Sequence, residues 1–399
     1  MRLVGAQDLE CAGRRKSKQG CEIGHQLLGA RRFGRASSPC PLAFREDFCD
    51  GTNHISDFAA DLWALLVPAE NPLTPEKVAL GRKLFFEKRL SRDGTVSCAT
   101  CHDPAHGFSD GKKVSVGIGG KTGARNAPTA LNAVFNEFQF WDGRAGSLED
   151  QSKGPMINAV EMGMESHDVL VAKVRGLPEY KAPFQAIFGR EANIDDVVAA
   201  IATFERTLVT GDSNFDRFQA GDKSAMSEAA QRGWALWNGK ARCNTCHPFG
   251  DVTPNFSDNK FHNIGVAAKG KNFEPLARKA SEVSDPAQLA FDPNFTELGR
   301  FVVTRQPKDI GAFKTPGLRD ISLTAPYMHD GSEATLLDVV NFYDRGGEPN
   351  PYLDGGITPL KLTDQEKQDL VAFMESLTGQ GTGSPTRAEL QDPGKEASR

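Results

Sequence analysis

The chain has 399 residues, 39% of them hydrophobic and 25% charged, an ordinary composition for a globular protein of two or three domains. Its net charge of −5 gives no reason to expect nucleic acid as a partner. No apolar run reaches the length of a membrane span: Phe58 to Val67 is short and broken by Asp61.

Residues 1–56 are rich in Arg, Gly and Cys and show no helical period. Cys11, Cys21, Cys40 and Cys49 match no metal or haem spacing. Arg14-Arg15 is a faint twin-arginine signal without the apolar segment that should follow. This stretch is expected to be a disordered extension or a mis-assigned start.

A first helix is expected from Thr74, with Thr as N-cap, Pro75 at the first position, and Gly81, Leu84 and Phe85 on one face. Cys98-Ala99-Thr100-Cys101-His102 follows. This is the spacing for covalent attachment of a c-type haem: two thiols add across the porphyrin vinyl groups, and the adjacent His lies under the iron. His106 is one helical turn further, on the same side as His102, and reads as a surface residue or a propionate contact. The loop Gly107 to Arg125 holds no His, Met, Tyr or Cys, so the first haem lacks a local sixth ligand. Val114-Ser115-Val116 alternates briefly, as a strand would. A closing helix runs through Val198, Ile201, Phe204 and Leu208 and ends near Gly211. The polar segment Ser213 to Ser224 marks the expected domain boundary.

The second half repeats the plan. From Ser227 a helix carries Gly233, Leu236 and Trp237 in the places of Gly81, Leu84 and Phe85. Cys243-Asn244-Thr245-Cys246-His247 follows. Two such motifs, each completed by His, argue against a thioredoxin-like pair or a zinc site, which lack the βαβ context and the second ligand cluster here. Phe301-Val302-Val303 reads as a short hairpin arm. On the helix Thr335 to Arg345, Leu336, Val339, Val340 and Tyr343 share one apolar face. Thr363 and Glu366 form a capping box before Leu370, Phe373, Met374 and Leu377, and Gly379 ends that helix. Phe373-x-x-Ser376-Leu377 matches Phe204-x-x-Thr207-Leu208.

The expected fold is therefore mainly α: two tandem c-type cytochrome domains, each with one covalent haem, long loops and few short strands. They span 57–214 and 215–380, with a flexible tail at 381–399. His102 and His247 are the proximal ligands. For the far face of the second iron, chemistry alone favours Met328 over Tyr343, because Met is the usual partner of His in cytochromes c.

Several runs resemble the bacterial di-haem cytochrome c peroxidase and MauG superfamily over about residues 57–380. They are Arg125-Asn126-Ala127-Pro128-Thr129, Gln139-Phe140-Trp141-Asp142-Gly143-Arg144, Val160-Glu161-Met162-Gly163, Phe261-His262-Asn263-Ile264-Gly265-Val266, Thr315-Pro316-Gly317-Leu318-Arg319-Asp320 and Thr324 to Gly331. The resemblance implies that Trp141 lies between the haems as a route for electrons or holes. Gln151 and Glu161 resemble the polar pair over the open face of the N-terminal haem, where the Glu serves peroxide as acid and base. Pro155 resembles a proline of that pocket. Asn126, with the backbone carbonyls of Thr324 and Pro326, resembles a calcium site, whose oxygen ligands suit that hard cation. Where the family's peroxidases carry a His that blocks the peroxidatic iron, this chain has Ile118, which implies an iron open from the start. Their Met ligand of the second haem aligns with Tyr343, the MauG pattern. The resemblance thus moves the preference from Met328 to Tyr343, a hard anionic ligand that stabilises ferric iron.

The activity implied is reduction of hydrogen peroxide at the N-terminal haem. Electrons arrive through the C-terminal haem from a small redox protein (a cytochrome c or a cupredoxin) or from an oxidisable protein substrate. Haem attachment of this type places the protein in the periplasm, and a homodimer is left open. The rival is a non-catalytic di-haem electron carrier with both irons six-coordinate.

Overall fold

A computed structural model describes residues 66–250, 253–284, 289 and 292–379. The expectations for residues 1–56 and 381–399 lie outside that range. Helix α1, Pro75–Phe85, starts where the sequence requires: the Thr74 side chain accepts the Lys77 N–H, and Pro75 fills the first position. It crosses the closing helix of the first half, Ile194–Glu205. A Cβ on Gly81 would lie 1.8 Å from the Ala200 carbonyl oxygen, so only glycine permits this approach. Leu84 and Phe85 are fully buried beneath the crossing, and Phe85 meets Phe204 edge-on at 5.3 Å.

The second half repeats this crossing with different residues. Glu228–Asn238 crosses Asp364–Glu375, and a Cβ on Gly233 would lie 2.0 Å from the Asp369 carbonyl oxygen. Trp237 and Phe373, with ring centroids 5.2 Å apart, take the places of Phe85 and Phe204. The Thr363 and Glu366 capping box is present in both directions.

The repeat runs further than the helix pairs. A bridge joins Gln139 to Ala145 in one half and Tyr327 to Glu333 in the other. Each leads into a capped helix, Leu148–Ile157 behind Ser147 and Leu336–Asp344 behind Thr335. Between these matched parts each half carries its own insertion. In the first it is the helices His167–Arg175 and Pro178–Phe188. In the second, the helix Phe273–Ser281 and a two-stranded sheet form a separate small core with Phe301 and Val302.

The structure differs from expectation in three places. Phe301–Thr304 is a single helical turn rather than a hairpin arm. The backbone turns into it at Gly299, φ +57°, and the sheet is built instead by Phe261–His262 (β1) against Phe313–Lys314 (β2), antiparallel. The closing helix of the first half stops at Glu205, short of Leu208 and Gly211. Beyond it, the polar segment Ser213 to Ser224 holds the helix Asn214–Gln219, with Phe215 fully buried against Trp234, Phe256 and Phe373. Val114–Val116 forms no strand, only an isolated bridge from Val116 to Thr122. No helix among the described residues is long and apolar enough to cross a membrane.

Candidate functional site

Two cavities are present, each walled in part by one Cys-x-x-Cys-His motif. Cys98, Cys101 and His102 line the first, of about 440 Å³; Cys243, Cys246 and His247 line the second, of about 250 Å³. In both, the proximal His is held the same way. His102 Nδ1 lies 3.2 Å from the Phe108 carbonyl oxygen, and His247 Nδ1 lies 2.8 Å from that of Phe256. Both Phe residues adopt the left-handed backbone, φ +55° each. Donation through Nδ1 leaves Nε2 as the free nitrogen, the arrangement of a metal-ligating imidazole. Burial lowers the pKa of both rings, His247 to about 4, which keeps them in the neutral, ligating form.

The four thiols form no disulfide. Burial pushes Cys101 up to about 11 and Cys243 to about 12, opposite to the depressed values of a redox dithiol or a metal thiolate. Protonated thiols beside a large apolar cavity, with one oriented imidazole, fit a covalent c-type haem. The residues of both halves pass this test.

Gln151, Pro155 and Glu161 line the first cavity. Gln151 and Pro155 lie on the helix Leu148–Ile157. Glu161 lies in the following loop, where its carbonyl accepts the Ile118 N–H at 2.9 Å. A Cβ on Gly117 would lie 1.9 Å from the Val160 carbonyl oxygen, so glycine lets the two loops close on each other. Ile118 itself does not face the cavity. Its side chain is 2% exposed and packs in the first core, where a Cβ on Gly163 would meet it. Burial raises the Glu161 pKa, while the Arg144 charge and a hydrogen bond from Asn158 pull the other way. Arg144 is held by Asp142 at 3.0 Å and lies over the Phe140 ring.

Tyr343 and Met328 both line the second cavity, among Leu336, Val339 and Val340. Tyr343 projects from the helix Leu336–Asp344, and burial raises its phenol pKa. Met328 sits in the tight turn after Tyr327, at φ +73°. Trp141 lines both cavities, its indole N–H donating to the Asn126 carbonyl at 3.0 Å. His329 meets its edge at 6.4 Å and stacks on Phe313 at 3.7 Å. Asn126, Thr324 and Pro326 all line the second cavity. The Asn126 amide donates to the Lys112 carbonyl at 2.8 Å. His106 is exposed.

Two features escaped sequence reasoning. His262 lies between Asp354 at 2.7 Å and Asp258 at 3.1 Å, and its pKa rises to about 11, chiefly through Asp258. It converges with Asp258 on Cys246, so the cluster belongs to the second attachment site. Its signal was present in the Phe261–Val266 run. Glu205, the last residue of its helix, lines the first cavity with a buried Oε2 that has no partner, and burial raises its pKa to about 8. Its sequence position carried no such signal, because a Glu at a helix end reads as solvated.

The sequence profile of the di-haem cytochrome c peroxidase family matches residues 75–224. The chain is 43% identical over 312 residues to the methylamine utilization protein MauG of Methylorubrum extorquens, covering 78% of this chain and 80% of that one. It is 41% identical over 320 residues to the cytochrome-c peroxidase IdrP1 of Denitromonas iodatirespirans, covering 78% and 84%. Among solved structures, a MauG-like protein associated with microbial copper homeostasis superposes with a TM-score of 0.69 at 33% identity, covering 82% and 95%. Two attachment motifs, a repeated helical frame around two cavities and this identity over most of both sequences agree: the chain belongs to the di-haem cytochrome c peroxidase and MauG family, oxidoreductases that act on peroxide.

Proposed function

We propose that the protein is a MauG-like peroxidase of the periplasm, with the peroxidatic haem in residues 57–214 and an electron-transfer haem in residues 215–380. The observation that carries this reading is the unlike facing of two otherwise matched cavities. The first is roomier and is faced by Glu161, Gln151 and Pro155; the second is faced by Tyr343. When bound, the two haems supply the iron for O–O cleavage and the capacity to hold two oxidising equivalents.

The chain's own residues orient peroxide and move its protons. The Glu161 carboxylate accepts a proton from peroxide and returns one to the leaving oxygen, and burial makes it a stronger base than a solvated carboxylate. Gln151 orients peroxide by hydrogen bonding from the same wall. With haem bound in the second cavity, the Tyr343 oxygen would serve the iron as a hard anionic ligand, with Met328 as the alternative. Trp141, on the wall of both cavities, carries charge between them. Asn126 Oδ1 and the carbonyls of Thr324 and Pro326 hold a calcium ion, which would brace the wall beside Trp141. The reductant is a small redox protein or an oxidisable residue of a protein substrate.

Ferric absorption and electron paramagnetic resonance of the haem-loaded protein test this reading. One high-spin and one low-spin haem are expected, with peroxide perturbing the high-spin signal. Two low-spin haems indifferent to both peroxide and cyanide would overturn it.

A further inference from the structure

Lys314 is the second residue of β2, and it is 8% exposed. Its backbone N–H donates to the Trp141 carbonyl at 2.8 Å, which ties the two residues' backbones together. Its ammonium reaches only neutral oxygens, Asn136 Oδ1 at 3.3 Å and its neighbour Thr315's carbonyl at 3.4 Å. Both contacts are long for a charged donor. It forms no ion pair with any described residue within 4.0 Å. The chain's other buried cations are better served. Arg206 grips Glu149 and Arg319 grips Asp216, each through two bonds, and Lys77 makes two bonds of 2.9 Å.

What separates Lys314 from Lys77 is the cavity. Lys314 lines the second one together with His247, Asn136 and Trp141. A buried ammonium without a counter-charge is unfavourable. The covalent occupant of that cavity carries two carboxylates, its propionates. We propose that Lys314 is the counter-ion of a propionate of the haem in the second cavity, and that its charge raises that haem's reduction potential. The inference rests on the haem assignment above. Burial pulls the Lys314 pKa down to about 8 against the pull of the Asp258 charge, which lies beyond ion-pair distance; a carboxylate in contact would keep it charged. A fixed positive charge favours the ferrous form, because that form carries one positive charge less. Lys314 therefore opposes Tyr343, which lines the same cavity and whose phenolate favours the ferric form.

The test is a reductive titration of the haem-loaded protein without peroxide, following each haem separately. Lys314→Gln and Lys314→Met should raise the ferric-to-ferrous ratio of the second haem about tenfold at a given potential, a lowering of about 59 mV. The first haem should not move, and Lys314→Arg should keep the original wave. An unmoved second wave in both neutral variants overturns the proposal. So does an Arg variant that shifts as far as Gln, since the effect would then be one of packing.

If the neutral variants do not load haem, the unsubstituted protein decides. A paired Lys314 stays charged, so the second wave is flat between about pH 7 and 9. An unpaired one loses its proton near pH 8, and the wave falls across that window. The titratable groups that face Lys314 are Asp258, which His262 holds low against the cost of burial, and His247, which burial keeps neutral. Peroxide plays no part in the titration, so a shifted wave in an inactive protein would fault the peroxidase reading alone. An unmoved wave in an active protein would fault Lys314 alone.

Discussion

Pro155 and Tyr343 are equivalent positions of the repeated unit. Each lies on the helix that follows the matched bridge, at the same spacing from its capping residue, Ser147 in one case and Thr335 in the other. Each side chain lines its own cavity. One frame thus offers a ring with no lone pair to the first cavity and a phenol to the second. The difference between an open and a closed iron is expected to reside in this pair.

Tyr343→Phe should therefore change the ferric spectrum and raise the potential of one haem only, since it removes an anionic ligand. Met328→Leu should leave both spectra as they are. Absorption and redox titration of the two haem-loaded variants check this, and the opposite result would move the ligand to Met328.

Glu161→Gln should load both haems normally and lose roughly 10²- to 10⁴-fold in peroxide turnover, the usual contribution of one positioned acid–base group. The carboxylate is the working form at the first proton transfer, and burial raises its pKa. Activity of the unsubstituted enzyme should accordingly fall on the acid side at a higher pH than an ordinary Glu would dictate. Stopped-flow rates against pH measure this limb directly.

Glu205 should make the first half sensitive to alkali. Its folded pKa, raised by burial to about 8, lies above the ordinary 4.5, so the folded state holds the proton more tightly. Its contribution is fully present below about pH 4.5 and is lost progressively as pH rises to about 8. Glu205→Gln keeps the shape without the charge. Denaturant unfolding should show the variant gaining on the parent across that window; parallel curves would exclude this role.

Gly81→Ala and Gly233→Ala should each destabilise the protein by about 1–3 kcal/mol, the usual cost of forcing a methyl into packed structure. In both, the new Cβ would lie 2.0 Å or less from a carbonyl oxygen of the crossing helix. Each substitution should loosen mainly the haem of its own half, visible as a lowered unfolding midpoint with a change in that haem's spectrum. Equal costs at an exposed glycine such as Gly146, which has nothing near its Cβ position and no left-handed backbone, would remove the argument.

Local sequence was sufficient for whatever depends on near neighbours. The Cys-x-x-Cys-His spacing names the attachment chemistry because five consecutive residues supply both thiols and the imidazole. The helix starts at Thr74, Thr335 and Thr363 were legible because a cap is a contact across three residues. The paired glycines and aromatics showed the repeat because each half must solve the same helix crossing.

What a side chain faces depended on contacts between residues far apart in the chain, and only the folded structure decided it. Ile118 lies in a loop that its pattern left beside the first haem, yet its bond to Glu161 and the space over Gly163 turn it into the core. Phe215 lies in a polar stretch, yet four aromatic rings from other segments bury it. Trp141 reaches both cavities, and Lys314 reaches the second through its bond to Trp141. Periodicity shows that a residue is apolar or charged on one face of its element. Packing between elements then sets which cavity, core or charge that face meets.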